Sequence, residues 1–162
     1  MSISAGDSLP KATFLTPTAE GPKPVASDEL FGKGRAVVFA MPGAFTGTCT
    51  TAHIPSIASA MEGIKAKGVT TVAVVTVNDP FVVEAWSKST GANDAGITML
   101  ADADGSFTKA MGLEFDAATV GLHGRSRRYA AIIEDGKVTH LDVEESPGTC
   151  DMTGGTAILQ KL

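Results

Sequence analysis

Arg35 to Val77 reads RAVVFAMPGAFTGTCTTAHIPSIASAMEGIKAKGVTTVAVVTV, and three patterns follow one another within it. Arg35–Met41 is a continuous apolar run closed by Pro42-Gly43, the signature of a buried strand that ends in a turn. From Thr46 the period changes. Ile54, Ile57, Met61 and Ile64 recur at three- and four-residue steps, which makes one face of a helix apolar, and Gly68 ends that helix. Val69–Val77 then alternates threonine with valine and alanine, a β-rich run. Strand, helix, strand is a βαβ unit, so the two strands are expected to be parallel with a right-handed crossover.

The pattern continues outward. Asp79-Pro80 opens a second helix through Phe81, Val82 and Trp86, with Pro80 at an early position where no N–H donor is missed. Ile97–Ala101 is a short strand. Arg128–Glu134 and Lys137–Val143 flank Asp135-Gly136, the strongest short-range hairpin signal. A last helix fits Thr153–Leu162, and Thr16–Pro24, rich in proline and glycine, reads as a surface loop. One domain over residues 1–162 is expected. Its class is α/β, a central mixed β-sheet flanked by helices on both faces, and a thioredoxin-like fold belongs to that set.

Composition narrows the function. The 162 residues carry a formal net charge of −5, with 43% hydrophobic and 19% charged residues, as in an ordinary globular protein. Their one basic cluster is the short stretch Arg125–Arg128, which argues against nucleic acid and against an anionic membrane as partners. The apolar runs at Val37–Met41 and Val72–Val75 are far too short to span a bilayer. MSISAGDSLPKATF has neither a secretory apolar core nor the character of a transit peptide, so a cytoplasmic address is expected. Two cysteines far apart, Cys49 and Cys150, are too few for a secreted disulfide scaffold, and no CxxC pair suggests a metal.

Cys49 stands out by its place. A buried strand delivers the chain to Pro42-Gly43, and the cysteine falls in the first turn of the helix that follows. First-turn N–H groups have no intrahelical acceptor and the helix end carries partial positive charge, so a thiolate there is favoured over the thiol. Thr46 precedes Cys49 by three residues, the spacing of one helix face, and its hydroxyl is expected to reach the sulfur or an oxygen bound beside it. Pro42 has no N–H and shields without offering a competing donor. An activated, partly enclosed nucleophile is the reading.

These residues resemble a known family. Pro42, Thr46 and Cys49 make PxxxTxxC, the active-site motif of the peroxiredoxins, and PGAFTxxCxxxHxP from Pro42 to Pro55 is similar to the peroxiredoxin-five, or type II, subfamily. Val77–Val82, Trp86, Leu100-Ala101-Asp102, Arg125–Tyr129 and Val143-Glu144 have counterparts in the same order, so the likeness covers essentially the whole chain. It implies a thiol peroxidase acting on hydrogen peroxide and small organic hydroperoxides. Cys49 would become a sulfenic acid, Thr46 would hydrogen-bond the peroxide, Pro42 would shield the site and Arg128 would be the active-site arginine. Arg128 is chosen over Arg125 and Arg127 by the family register alone.

The resemblance further implies a homodimer, no cofactor and no metal, with glutathione/glutaredoxin or thioredoxin as reductant. It places a pocket-lining loop at Leu122 and His123, where His123 departs from the expected hydrophobic residue. His53, four residues after Cys49, can face the sulfur or simply pack as a helix histidine. Phe45 and Trp86 are expected in the core near the site or at a subunit contact. Cys150 is a candidate resolving cysteine, but two-cysteine members carry theirs opposite Met152, whereas one-cysteine members have an apolar residue near Cys150. The likeness favours neither scheme.

Two other classes are weaker. A disulfide oxidoreductase needs a second cysteine close to Cys49, and no CxxC is present. A redox-signalling or chaperone-like module would use the same oxidisable cysteine, but such a scaffold has no need of both Thr46 and Arg128.

Overall fold

The computed structural model describes residues 1–162, and its core is a seven-stranded sheet. In chain order the strands are β1 (Thr13–Thr16), β2 (Lys23–Ala26), β3 (Arg35–Ala40), β4 (Val69–Thr76), β5 (Thr98–Ala101), β8 (Tyr129–Glu134) and β9 (Lys137–Val143). They lie in the order β2-β1-β5-β4-β3-β8-β9. The central trio β3, β4 and β5 is parallel, and β8 runs antiparallel beside β3, so the sheet is mixed as expected. A separate two-stranded ribbon joins β6 (Glu114–Ala117) to β7 (Leu122–Ser126).

Alternation along β3 sorts side chains into two cores. Val37 and Phe39 face one side, where α2 (Ile54–Ala66), α3 (Pro80–Thr90) and α5 (Gly155–Leu159) contribute Ile54, Ile57, Val83, Trp86 and Ile158. Ala36, Val38 and Ala40 face the other, against Phe31 of α1 (Ser27–Phe31) and Phe107 and Met111 of α4 (Ser106–Met111). Both faces are thus covered, which explains why β3 reads as an unbroken apolar run.

Local signals act as expected at several points. Asp79 Oδ1 accepts the N–H groups of Phe81 and Val82 at 2.9 and 3.0 Å, with Pro80 beginning α3. Asp135 and Gly136 both adopt positive φ, +48° and +79°, as a two-residue type I′ hairpin requires.

Elsewhere the structure differs. The Thr16–Pro24 segment is the turn of the β1–β2 hairpin, with its ends inside the strands. The final helix is only Gly155–Leu159. Short α1 and α4 and the β6–β7 ribbon had no legible period. The helix after Pro42-Gly43 begins at Gly47 and widens into a π-turn over Cys49–His53 before α2 proper, with the Ile54 N–H donating to the Cys49 carbonyl. Single π-turns inside α-helices are rare and concentrate at functional sites.

Helix α5 locks this helix in place. Gly155 N–H donates to Ser56 Oγ at 3.1 Å, and a Cβ at 155 would press on the Ser56 carbonyl and lie 2.7 Å from Ile57 Cα. Neither neighbour is a movable side chain. Gly155→Ala is therefore expected to cost about 1–3 kcal/mol of stability in urea unfolding. Gly148→Ala, with nothing nearer than Ser146 Oγ at 3.9 Å, is expected to change it by less than about 0.5 kcal/mol.

Candidate active site

Sheet register brings the site together. Ala40, the last residue of β3, pairs with Tyr129, the first of β8. Arg128 therefore arrives beside the chain end that carries Pro42 and leads to Cys49. Across the next strand Tyr129 pairs with Val143, and the Glu144 N–H donates to the Arg128 carbonyl at 3.0 Å. The ends of three adjacent strands thus hold Arg128, the Cys49 helix and Glu144 in one place.

The Arg128 guanidinium is buried, 1% exposed, and every hydrogen bond it makes serves this site. Nη2 donates to Cys49 Sγ at 3.2 Å and to the Pro147 carbonyl at 2.9 Å, and Nε donates to the same carbonyl at 3.3 Å. Nη1 lies 2.8 Å from His53 Nδ1. Arginine can only donate, so Nδ1 must accept, and the imidazole proton sits on Nε2, which donates to the Thr153 carbonyl at 2.8 Å. No carboxylate lies within salt-bridge distance of Arg128.

His53 is wholly buried, with its ring edge-on to Phe39. Burial and, after it, the neighbouring Arg128 charge push its pKa down to about 3, which keeps it neutral at neutral pH. It is a fixed acceptor for the arginine rather than a proton donor.

Thr46 differs from its expected placement. It precedes the helix, and its hydroxyl donates to the Gly43 carbonyl at 2.8 Å, not to the sulfur. The lone pairs of that oxygen remain as acceptors. Pro42 is buried, and its carbonyl accepts from Arg125 Nη1 at 3.3 Å. Ala44 N–H donates to Asn78 Oδ1 at 2.9 Å, tying the loop to the segment before α3. Phe45 is not a core residue: it is 54% exposed and held at φ +61°, a left-handed conformation that is unfavourable for an aromatic residue. Trp86 is core, with Nε1–H donating to Thr50 Oγ1 at 3.0 Å.

Among the candidates, Arg128 alone hydrogen-bonds the sulfur. His123 is exposed on β7 and makes no side-chain hydrogen bond, and Leu122 beside it is half-buried. Cys150 is a free, half-buried thiol on the segment between β9 and α5. Burial pushes its pKa up, against an opposing pull from Arg128. A cavity of about 240 Å³ meets the guanidinium, lined by Phe115, Arg127, Arg128, Glu144, Glu145 and Pro147. Another cavity, about 440 Å³, is lined by Glu84, Lys88, Asp94 and other residues outside this cluster.

Comparison with known proteins shows the family. Residues 4–158 match the Redoxin family. The chain is 40% identical to Peroxiredoxin-2C of Oryza sativa subsp. japonica, covering 99% of this chain and 98% of that protein. The chain belongs to the peroxiredoxin family. Within it, the relatives place the chain in the type II subfamily. Peroxiredoxin-2F of Arabidopsis thaliana, a mitochondrial protein, is 42% identical over 83% of this chain, which spans only 66% of that longer relative. Among solved structures, reduced Prx3 of Vibrio vulnificus in complex with H2O2 is 46% identical and covers 98% of each chain with a TM-score of 0.90. The thioredoxin-like fold expected of a peroxiredoxin is the one observed. No helix is long and apolar enough to cross a membrane.

Sequence reasoning missed several groups in this peroxiredoxin site: the carbonyls of Pro147 and Thr153, the Glu144 carboxylate and the anchoring role of Arg125. Backbone carbonyls carry no sequence signal, and Glu144 was legible only as part of a motif without a role.

A buried histidine with depressed pKa gives a signed prediction. Between pH 6.5 and 3 the unfolded chain binds a proton at this position that the folded chain does not, so stability falls as pH drops through that window. Urea unfolding at a series of pH values should show that slope, and His53→Gln should flatten it.

Proposed function

We propose that this protein is a thiol peroxidase that reduces hydrogen peroxide and small organic hydroperoxides at Cys49. The observation that carries the proposal is the 3.2 Å bond from Arg128 Nη2 to Cys49 Sγ. A buried guanidinium bonded to two neutral acceptor atoms and one sulfur lacks a counter-ion. Leaving such a cation uncompensated costs several kcal/mol, of the order that buried ion pairs lose when one partner is removed. A thiolate at Cys49 supplies the missing charge, and the helix N-terminus adds to its stabilisation.

The thiolate attacks the nearer peroxide oxygen. An S–O bond forms, the O–O bond breaks, and the distal oxygen leaves as hydroxide or alkoxide, which ends as water or alcohol. Sulfur is oxidised to the sulfenic acid as the peroxide is reduced. Negative charge spreads from sulfur onto the departing oxygen, and Arg128 donors aimed at this region stabilise the transition state more than the ground state. Neutral His53 and the Pro147 carbonyl hold the guanidinium in position, so little reorganisation is needed during the reaction. Thr46, whose hydroxyl proton is engaged by Gly43, serves as an acceptor for the peroxide proton. Pro42 closes the site beside it.

Reduction of the sulfenic acid falls to an external thiol, glutathione with glutaredoxin or thioredoxin. Cys150 is disfavoured as the resolving group on two grounds. Its pKa is raised by burial, which lowers the thiolate fraction that would attack, and its segment is tied down by hydrogen bonds to Glu144. A second copy of this chain is the proposed partner: Phe45 and Phe81, 54% and 67% exposed, lie on segments joined by the Ala44–Asn78 hydrogen bond and give a homodimer an apolar contact. Two free thiols suit a reducing compartment, which supports a cytoplasmic address.

Cys49→Ser is expected to abolish peroxide consumption with the fold intact. Arg128→Ala is expected to slow it at least tenfold, about 1.4 kcal/mol or more of barrier. Wild-type rates in both variants would overturn the proposal. In steady-state assays with each reductant, Cys150→Ser is expected to keep its turnover, and collapse with thioredoxin alone would identify Cys150 as the resolving cysteine.

A further inference from the structure

Glu144 follows β9 directly and is 5% exposed. Its Oε1 accepts four hydrogen bonds: from the backbone N–H groups of Asp151, Met152 and Thr153 at 2.7, 2.9 and 3.0 Å, and from the Thr153 hydroxyl at 3.0 Å. Oε2 accepts from the Thr149 hydroxyl at 3.3 Å. Three successive N–H groups converging on one oxygen form a backbone nest for an anion, and here the chain fills it with its own carboxylate.

The segment organised this way presents two carbonyls to the active site. Pro147 O receives Arg128 Nε and Nη2, and Thr153 O receives His53 Nε2. A third tie, Thr48 Oγ1 to the Gly148 carbonyl at 3.0 Å, reaches the helix that carries Cys49. Residues Glu145 to Thr149 are all exposed, so core packing does not set their course. Hydrogen bonds do, and most of those at the far end of the strap converge on Glu144.

We propose that Glu144 is a positioning residue for the peroxidase reaction: its carboxylate folds the strap from Glu145 to Thr153 so that the Pro147 and Thr153 carbonyls fix Arg128 and His53 against Cys49. The inference rests on the peroxidase reading of Cys49 and Arg128. It goes beyond it by assigning a role to a carboxylate that touches neither sulfur nor peroxide.

The charge state fits. Burial by itself raises the Glu144 pKa, but the bonds from Thr153, Asp151 and Met152 outweigh it and bring the value below the ordinary one. The charged and titratable groups around it are Arg128 and His53 on the site side, Cys150 and Asp151 on the strap, and Arg127, whose Nη2 donates to the Glu144 carbonyl at 3.0 Å.

The test compares Glu144→Gln and Glu144→Ala with wild type and with Val138→Ala, a core substitution on the opposite face of the sheet that loosens the fold without touching the strap. Two quantities are read on protein shown to be folded. One is the second-order rate constant for Cys49 with hydrogen peroxide. The other is the midpoint, not the plateau, of the pH profile for Cys49 alkylation by iodoacetamide, because a loosened strap also widens access. Glu144→Gln keeps one acceptor oxygen and loses the charge, so a fall of at least threefold in the peroxide rate is expected. Glu144→Ala should lose at least tenfold. Both midpoints should move to higher pH, while Val138→Ala changes neither quantity. Wild-type rate and midpoint in Glu144→Gln would overturn the proposal even if Glu144→Ala fails to fold, and equal losses in Val138→Ala would reduce the effect to stability. Should the wild-type protein itself fail to consume peroxide, the peroxidase reading falls, and the alkylation midpoints still decide whether Glu144 positions Arg128.

Discussion

A guanidinium buried beside a thiol is the constraint on which the rest of this structure depends. Arg128 is about as inaccessible as any aliphatic residue in the core, yet it carries a full charge and has no carboxylate partner within salt-bridge distance. Such a group is tolerable only if its nitrogens are hydrogen-bonded and an anion is at hand. The Pro147 carbonyl accepts from Nε and Nη2, the His53 ring accepts from Nη1, and the Cys49 sulfur is the atom placed to be the anion. The histidine must stay neutral to accept from arginine, and its burial ensures that it does.

The fold supplies this arrangement through register. Parallel β3 and β4 aim their carboxyl ends the same way, β8 enters antiparallel beside β3, and the pairing of Ala40 with Tyr129 sets Arg128 at the end of β3. The π-turn does the rest from the helical side, keeping both Cys49 and His53 buried while Thr51 and Ala52 between them face solvent. Two residues four apart thereby meet one guanidinium through different nitrogens. Glu144, on the neighbouring strand end, closes the arrangement by holding the returning chain.

Much of this was legible in the sequence, for physical reasons. Long-period signals survive: the apolar run of β3, the helical stripe Ile54, Ile57, Met61 and Ile64, the Asp79-Pro80 helix start and the Asp135-Gly136 turn each act locally and need no partner to be read. Cys49 was legible because its position at a helix start is itself the chemical argument. What could not be read depends on tertiary contact. A π-turn leaves no periodic trace over five residues. The Thr46 hydroxyl could equally serve the sulfur or a backbone carbonyl, and only the shape of the Gly43–Thr46 turn decides for Gly43. Arg128 could be separated from Arg125 and Arg127 only by likeness to relatives, because the choice lies in a strand register set by β3. His53 looked like an ordinary helix histidine until β8 brought the arginine against it.

The central claim is that the buried guanidinium exists to hold Cys49 as the group that meets peroxide. Mass spectrometry on protein treated with one equivalent of hydrogen peroxide, with a sulfenic-acid trap present, measures this directly. One trapped sulfenic acid at Cys49, with Cys150 and the methionines unmodified, is the predicted result. Oxidation distributed over methionines or placed on Cys150, with Cys49 left as a thiol, would contradict the account.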